Sequence, residues 1–134
     1  PQEAYYYSVE YTSFKARPFR TRGNYSKYNS IDDKIDVLHC YTTYIKFGIW
    51  RATYDSPQEI RNCQLTREEG CALVKRFDGE FSDKYFKEIM EYIDLDPCNF
   101  IDLCEKFRSP HMWKKENGKW KLRYTVNRTE TDDQ

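Results

Sequence analysis

Residues 30–59 read SIDDKIDVLHCYTTYIKFGIWRATYDSPQE. Apolar side chains fall at Ile31, Ile35, Leu38, Tyr41, Ile45, Ile49 and Ala52. A spacing of three or four, sustained over about six turns, predicts one long amphipathic helix. Ser30-Ile31-Asp32-Asp33 reads as its start, with Asp33 at N3 and early carboxylates facing the helix dipole. At the far end, Ser56-Pro57-Gln58-Glu59 has the form of a capping box with Pro at N1. It predicts a second helix, whose free N-terminal amides beside Lys46 and Arg51 would seat an anion.

Outward from this stretch the same signals recur. Thr66-Arg67-Glu68-Glu69 is a capping box, and Asp96-Pro97 and Ser82-Asp83 supply simpler N-caps. Apolar faces follow at Gly70, Leu73, Val74 and Phe77, at Tyr85, Phe86, Ile89 and Ile93, and at Phe100, Cys104 and Phe107. Ala4, Tyr7, Tyr11 and Phe14 form a face behind Pro1. Asp78-Gly79 and Arg108-Ser109-Pro110 read as stops. Trp113 to Tyr124 differs, because Asn117-Gly118 at its centre is a type I′ hairpin turn. The expected fold is mainly α: five or six helices around one long helix, with a small C-terminal β-hairpin. The expected layout is a single helical domain over 1–126, with a helix at 1–14, a basic aromatic loop at 15–29, helices at 30–110 and the hairpin at 111–126. Residues 127–134 read as a flexible tail.

The 134 residues carry 22 Lys+Arg against 22 Asp+Glu, which removes the electrostatic drive of a nucleic-acid binder. No apolar run approaches the roughly 20 residues of a membrane span, and no signal peptide opens the sequence, so a cytoplasmic globular domain is expected. The aromatic residues, 12 of them Tyr, are too much ring surface for disorder. Five cysteines without a C-x-x-C pair read as small hydrophobes, with no metal site expected. Asn24-Tyr25-Ser26 and Asn127-Arg128-Thr129 fit the glycosylation pattern, but nothing else points to secretion.

Asp32, Asp36, His39, Thr43 and Lys46 draw a polar stripe along the helix side opposite the isoleucines. The stripe holds possible acid, base and cationic groups, with His39 as a possible proton shuttle; a water-facing side is the alternative. In residues 15–29, Lys15, Arg17, Arg20, Arg22 and Lys27 alternate with rings and could cradle an anion. No phosphate loop, nucleophile elbow or zinc-protease motif is present.

The runs Tyr25-Ser26-Lys27-Tyr28-Asn29-Ser30-Ile31-Asp32-Asp33-Lys34-Ile35-Asp36 and Tyr44-Ile45-Lys46-Phe47-Gly48-Ile49-Trp50-Arg51-Ala52-Thr53 resemble signatures of N-acetyl sugar amidotransferases. So do Glu59-Ile60-Arg61, Leu65-Thr66-Arg67-Glu68-Glu69-Gly70, Phe107-Arg108-Ser109-Pro110-His111 and Trp113-Lys114-Lys115. The likeness covers roughly residues 1–126. It is confined to the C-terminal third of that family, whose members are PP-loop ATP pyrophosphatases of bacterial surface-polysaccharide and nonulosonate synthesis. The resemblance implies the C-terminal part of an α/β PP-loop enzyme in O-antigen or lipopolysaccharide synthesis. In that chemistry Mg-dependent ATP adenylylates a sugar acetamido oxygen, and ammonia from a glutaminase partner displaces AMP to leave an acetamidino group.

By the same resemblance the partners are the N-terminal PP-loop part of the same protein, which completes the ATP site, a glutaminase subunit, and a nucleotide- or lipid-linked N-acetyl sugar. Motif density assigns Lys46, Arg51, Arg61 and Lys27 to phosphate contacts, Tyr25 and Tyr28 to stacking on substrate, and Asp32, Asp33 and His39, the catalytic candidates, to orienting substrate hydroxyls. Trp50 and Cys63 stand where the family usually has glycine, and Cys40 where it has an aromatic residue. This chain alone is expected to be inactive. The competing reading is a non-catalytic helical module for homodimerisation or partner docking, favoured by the Tyr5-Tyr6-Tyr7 run and the Trp hairpin.

Overall fold

The computed structural model describes residues 2–126. Those residues form six helices and one hairpin: α1 (Gln2–Tyr11), α2 (Asp36–Phe47), α3 (Arg51–Arg61), α4 (Arg67–Phe77), α5 (Phe86–Tyr92), α6 (Pro97–Phe107), β1 (Trp113–Glu116) and β2 (Lys119–Leu122). The tail expected over 127–134, with the Asn127 sequon, lies outside the described residues. None of these helices is long and apolar enough to cross a membrane.

The long helix expected from Ile31 is two helices. Ser30 is left-handed at φ 55°, and Asp33 Oδ1 accepts the amides of Ile35 (2.7 Å) and Asp36 (3.3 Å), so α2 starts a turn late. Gly48 closes it at φ 71°, donating its amide to the Tyr44 carbonyl at 2.7 Å. A Cβ at Gly48 would come within 2.7 Å of Met112 and 2.8 Å of Leu122, so the hairpin's approach also requires glycine there. Trp50 is extended and α3 begins at Arg51. The apolar spacing runs through the break because each half buries its own side, Leu38 and Ile45 in one core and Ala52 in another.

Ser56-Pro57 therefore starts no helix. Both residues lie inside α3, where Ser56 is buried against α4 beside Gly70. A Cβ on Gly70 would meet Ile60 Cδ1 at 2.7 Å, so glycine sets how closely α3 and α4 pack. The Thr66 box forms in full, and Asp96 caps α6 through the amides of Cys98 (2.9 Å) and Asn99 (3.1 Å). Ser82-Asp83 does not cap by side chain: α5 follows Tyr85, and the Asp83 carbonyl accepts the Phe86 amide at 3.1 Å.

Two cores result. Leu38 and Ile45 of α2 pack with Ile89 and Met90 of α5 and Phe100 and Cys104 of α6. Ala52 of α3 packs with Val74 and Phe77 of α4 under Tyr25. Trp50 is buried edge-on to Tyr41 and Tyr44, at 5.5 and 5.4 Å between centroids. In the hairpin Trp113 pairs with Leu122 and Lys115 with Trp120 around Asn117-Gly118, both at positive φ as the turn requires. Trp113 Nε1 donates to the Ile45 carbonyl at 2.8 Å and pins the hairpin to α2.

Three expected faces differ. On α1 no residue is buried: Tyr7 and Tyr11 are exposed, and it is Tyr5 that packs, stacked on Tyr28 at 4.5 Å. Ile93 and Phe107 are exposed at the ends of their helices. Of the five cysteines, all with free thiols, only Cys104 is buried; Cys63 and Cys98 are exposed.

Candidate functional site

The break at Gly48 turns α3 so that it flanks α2, and a cleft of about 320 Å³ opens between them. Asp36, His39, Cys40 and Thr43 line it from α2, and Arg51, Tyr54, Asp55 and Gln58 from α3, with Ile49 and Trp50 at the joint. The polar stripe thus reaches the cleft at Asp36, His39 and Thr43.

Arg51, about a third exposed, carries the positive charge of the cleft. Its Nη1 lies 3.7 Å from Asp36 Oδ2 and its Nε 3.4 Å from Asp55 Oδ1, one turn on along α3. Burial pulls its pKa down, but Asp55 and Asp36 outweigh this and hold it above the usual value. Both carboxylates are anchored by residues 24–30. Asp55 Oδ2 accepts Asn24 Nδ2 at 2.8 Å and Asn29 Nδ2 at 2.7 Å, and Asp36 Oδ2 accepts the Ser30 hydroxyl. The fully buried Asn24 has its other end fixed, since Oδ1 accepts the Tyr25 amide at 2.7 Å. Cys40 sits beside Asp36, and burial first, then that carboxylate, pushes its thiol up to about 11, which favours the thiol over the thiolate.

The anion seats read from the sequence hold the protein's own carboxylates. At the α3 N-terminus Asp78 accepts the Thr53 amide at 3.3 Å and the Thr53 hydroxyl, and burial raises its pKa against these bonds. In the basic loop, Arg20 forks onto Glu80 with two bonds of 2.7 Å. Arg22 (3.3 Å) and the Gly23 amide (2.8 Å) join it, and the Arg20 bonds lead in holding Glu80 down to about 2. That loop cradles an internal anion.

The remaining candidates are spread out. Asp32 is exposed ahead of α2, and Asp33 caps it. His39 joins Arg51 in the cleft. Lys46 is exposed in the last turn of α2, on the same face as Thr43, with Nζ 5.3 Å over the Phe47 ring. Arg61 is exposed at the end of α3, away from the cleft lining. Lys27, Tyr25 and Tyr28 meet in a separate recess of about 220 Å³, with Gln2, Tyr5, Tyr6 and Ser26. There Tyr25 donates its hydroxyl to the buried Glu59 at 3.0 Å, and burial raises its pKa well above normal. Burial pushes Tyr28 up to about 12, and Tyr5 covers one face of its ring.

Sequence reasoning did not identify Asp55, Asn24, Asn29, Tyr54 or Gln58 as site residues; the Arg51–Asp55 spacing of four was the one signal that could have found Asp55. Among the described residues no three His, Cys, Asp or Glu side chains gather to hold a metal. Nor do these residues fit ATP phosphates: the α3 amides are capped by Asp78, and two carboxylates flank Arg51.

A family model described as "LPS biosynthesis protein WbpG-like, C-terminal domain" matches residues 10–127. No curated protein matches the chain.

Proposed function

Because the chain belongs to the WbpG-like C-terminal domain family of LPS biosynthesis proteins, we propose that it is the substrate-facing C-terminal part of an ATP-dependent amidotransferase. A C-terminal domain implies a larger protein with an N-terminal part. In this proposal that part holds Mg-ATP and activates the acetamido oxygen of an N-acetyl sugar, and a glutaminase subunit supplies the ammonia. The reaction runs in the cytoplasm, on a nucleotide- or lipid-linked sugar. The share of this chain is to bind and orient the acceptor.

The observation that carries the reading is the α2–α3 cleft, built at the densest motif of the sequence, with Arg51 reaching solvent at its centre. Arg51, Gln58 and Thr43 offer donors to hydroxyl or amide oxygens, and His39 can take or give a proton beside them. Tyr54 offers an exposed ring to a pyranose face. Lys46, Arg61 and Lys27 form no ion pair among the described residues and are the cations left to meet a phosphate.

In the full-length protein, Arg51→Ala should raise the acceptor KM about tenfold or more, and Lys46→Ala should slow pyrophosphate release. If acceptor-dependent pyrophosphate release is unchanged in both variants, the assignment is wrong.

The second reading, a dimerisation or docking module, has one observation in its favour. Tyr6, Tyr7 and Tyr11 of α1 are 62–64% exposed on a helix that buries none of its residues. A stable dimer by light scattering, lost in Tyr7→Ser/Tyr11→Ser, without acceptor binding, would favour it.

A further inference from the structure

Arg51 was expected to grip phosphate, and its surroundings argue for a different ligand. We infer that Asp36 and Asp55, fixed by Ser30, Asn24 and Asn29, set the ligand charge of the α2–α3 cleft. It admits an uncharged hydroxyl- or amide-bearing group onto Arg51 and turns phosphate away. The inference rests on the cleft being substrate-facing and deepens that reading.

Two carboxylates against one guanidinium leave the lining with a formal charge of −1, His39 being counted neutral. No other cation among the described residues lines the cleft, and Arg22, in the small adjoining cavity, is paired with Glu80 at 3.3 Å. A phosphate on Arg51 would therefore meet both Asp36 and Asp55 at close range, in a half-buried setting that screens poorly. An acceptor oxygen without charge meets no such opposition and takes the guanidinium N–H groups that the carboxylates leave open.

The carboxylates cannot simply swing away. One oxygen of Asp55 takes two amide bonds, at 2.8 and 2.7 Å, which turns the other toward Arg51. The donor face of Asn24 is itself locked, because its Oδ1 accepts the Tyr25 amide. Residues 24–30 are thus positioning residues for Arg51, acting through Asp55 and Asp36. Asp36 also accepts the Cys40 thiol at 3.9 Å, and this gives it a further anchor on α2.

The test is a calorimetric titration of the 134-residue protein with pyrophosphate, in wild type, Asp36→Asn, Asp55→Asn, Arg51→Ala and each Asn variant combined with Arg51→Ala. Thermal unfolding checks that each variant is folded. The wild type should show no pyrophosphate binding that depends on Arg51. Asp36→Asn or Asp55→Asn should tighten binding about tenfold or more, a gain that Arg51→Ala removes. Wild-type binding that Arg51→Ala weakens overturns the inference by itself, and so does a folded Asn variant that binds no tighter. The comparison of wild type with Arg51→Ala decides even if an Asn variant fails to fold, and Arg51→Gln replaces Arg51→Ala if that variant does not fold. An unchanged acceptor KM in full-length Arg51→Ala would instead sink the substrate-facing reading, which this titration does not touch.

Discussion

At the scale of single residues, backbone conformation separates two positions where the resembled family usually has glycine. Cys63 is exposed and left-handed at φ 56°, a conformation that costs a side chain about 1 kcal/mol. Cys63→Gly should leave stability unchanged or raise it by up to ~1 kcal/mol in urea unfolding, since the relief of strain exceeds the added freedom of the unfolded chain. Trp50 is extended at φ −120°, a conformation open to any residue, and its ring fills space that a glycine would leave empty; the glycine sits opposite instead. A Cβ on Gly23, at φ 77°, would lie 1.8 Å from Trp50 Nε1, so Gly23→Ala should cost more than ~2 kcal/mol. Glu80 supplies a pH signature. Its pKa is lowered when folded, so its contribution is present above about 4.5 and is lost as pH falls toward about 2. Glu80→Gln should therefore cost about 2–3 kcal/mol at pH 7, allowing for partial exposure, and its deficit against wild type should shrink below pH 4.5. Little of this was legible in the sequence. Arg20 and Glu80 are sixty positions apart, and no local pattern says that a basic loop will meet a carboxylate of its own chain.

At the scale of elements, reading succeeded where a signal was local. The Thr66 box, the Asp96 cap, the stops after Phe77 and Phe107 and the Asn117-Gly118 turn need only their neighbours, and all formed. It failed at Ser56, where packing against Gly70 holds Ser-Pro inside a helix, and at Gly48, where the hairpin decides that α2 must end. The cleft shared that fate: the stripe on α2 was visible, but its partners on α3 depended on a break that periodicity hid. Thr66→Ala removes a surface cap and should cost about 1 kcal/mol. Asp78→Ala should cost more, ~2 kcal/mol, because that half-buried carboxylate ends α4 and starts α3 at once. Thermal unfolding of the two variants side by side checks the order.

At the scale of the whole molecule, two modest cores are joined through the aromatic cluster of Tyr41, Tyr44, Trp50 and Trp113. Helix α1 stands outside both, touching the rest mainly through Tyr5 on Tyr28. Removing residues 1–11 should therefore lower stability by no more than ~1 kcal/mol, with the unfolding transition still cooperative; a larger loss would mean that α1 belongs to the fold. The placement of the three indoles has a practical consequence as well. Trp50 lines the cleft while sealed from water, Trp113 lies beneath the Arg108 guanidinium at 4.3 Å, and Trp120 is half-buried on the hairpin. A fluorophore that is both dry and adjacent to the candidate site is a built-in optical gauge. With Trp113 and Trp120 replaced by phenylalanine, the remaining emission would report arrivals in the cleft directly, with no label attached.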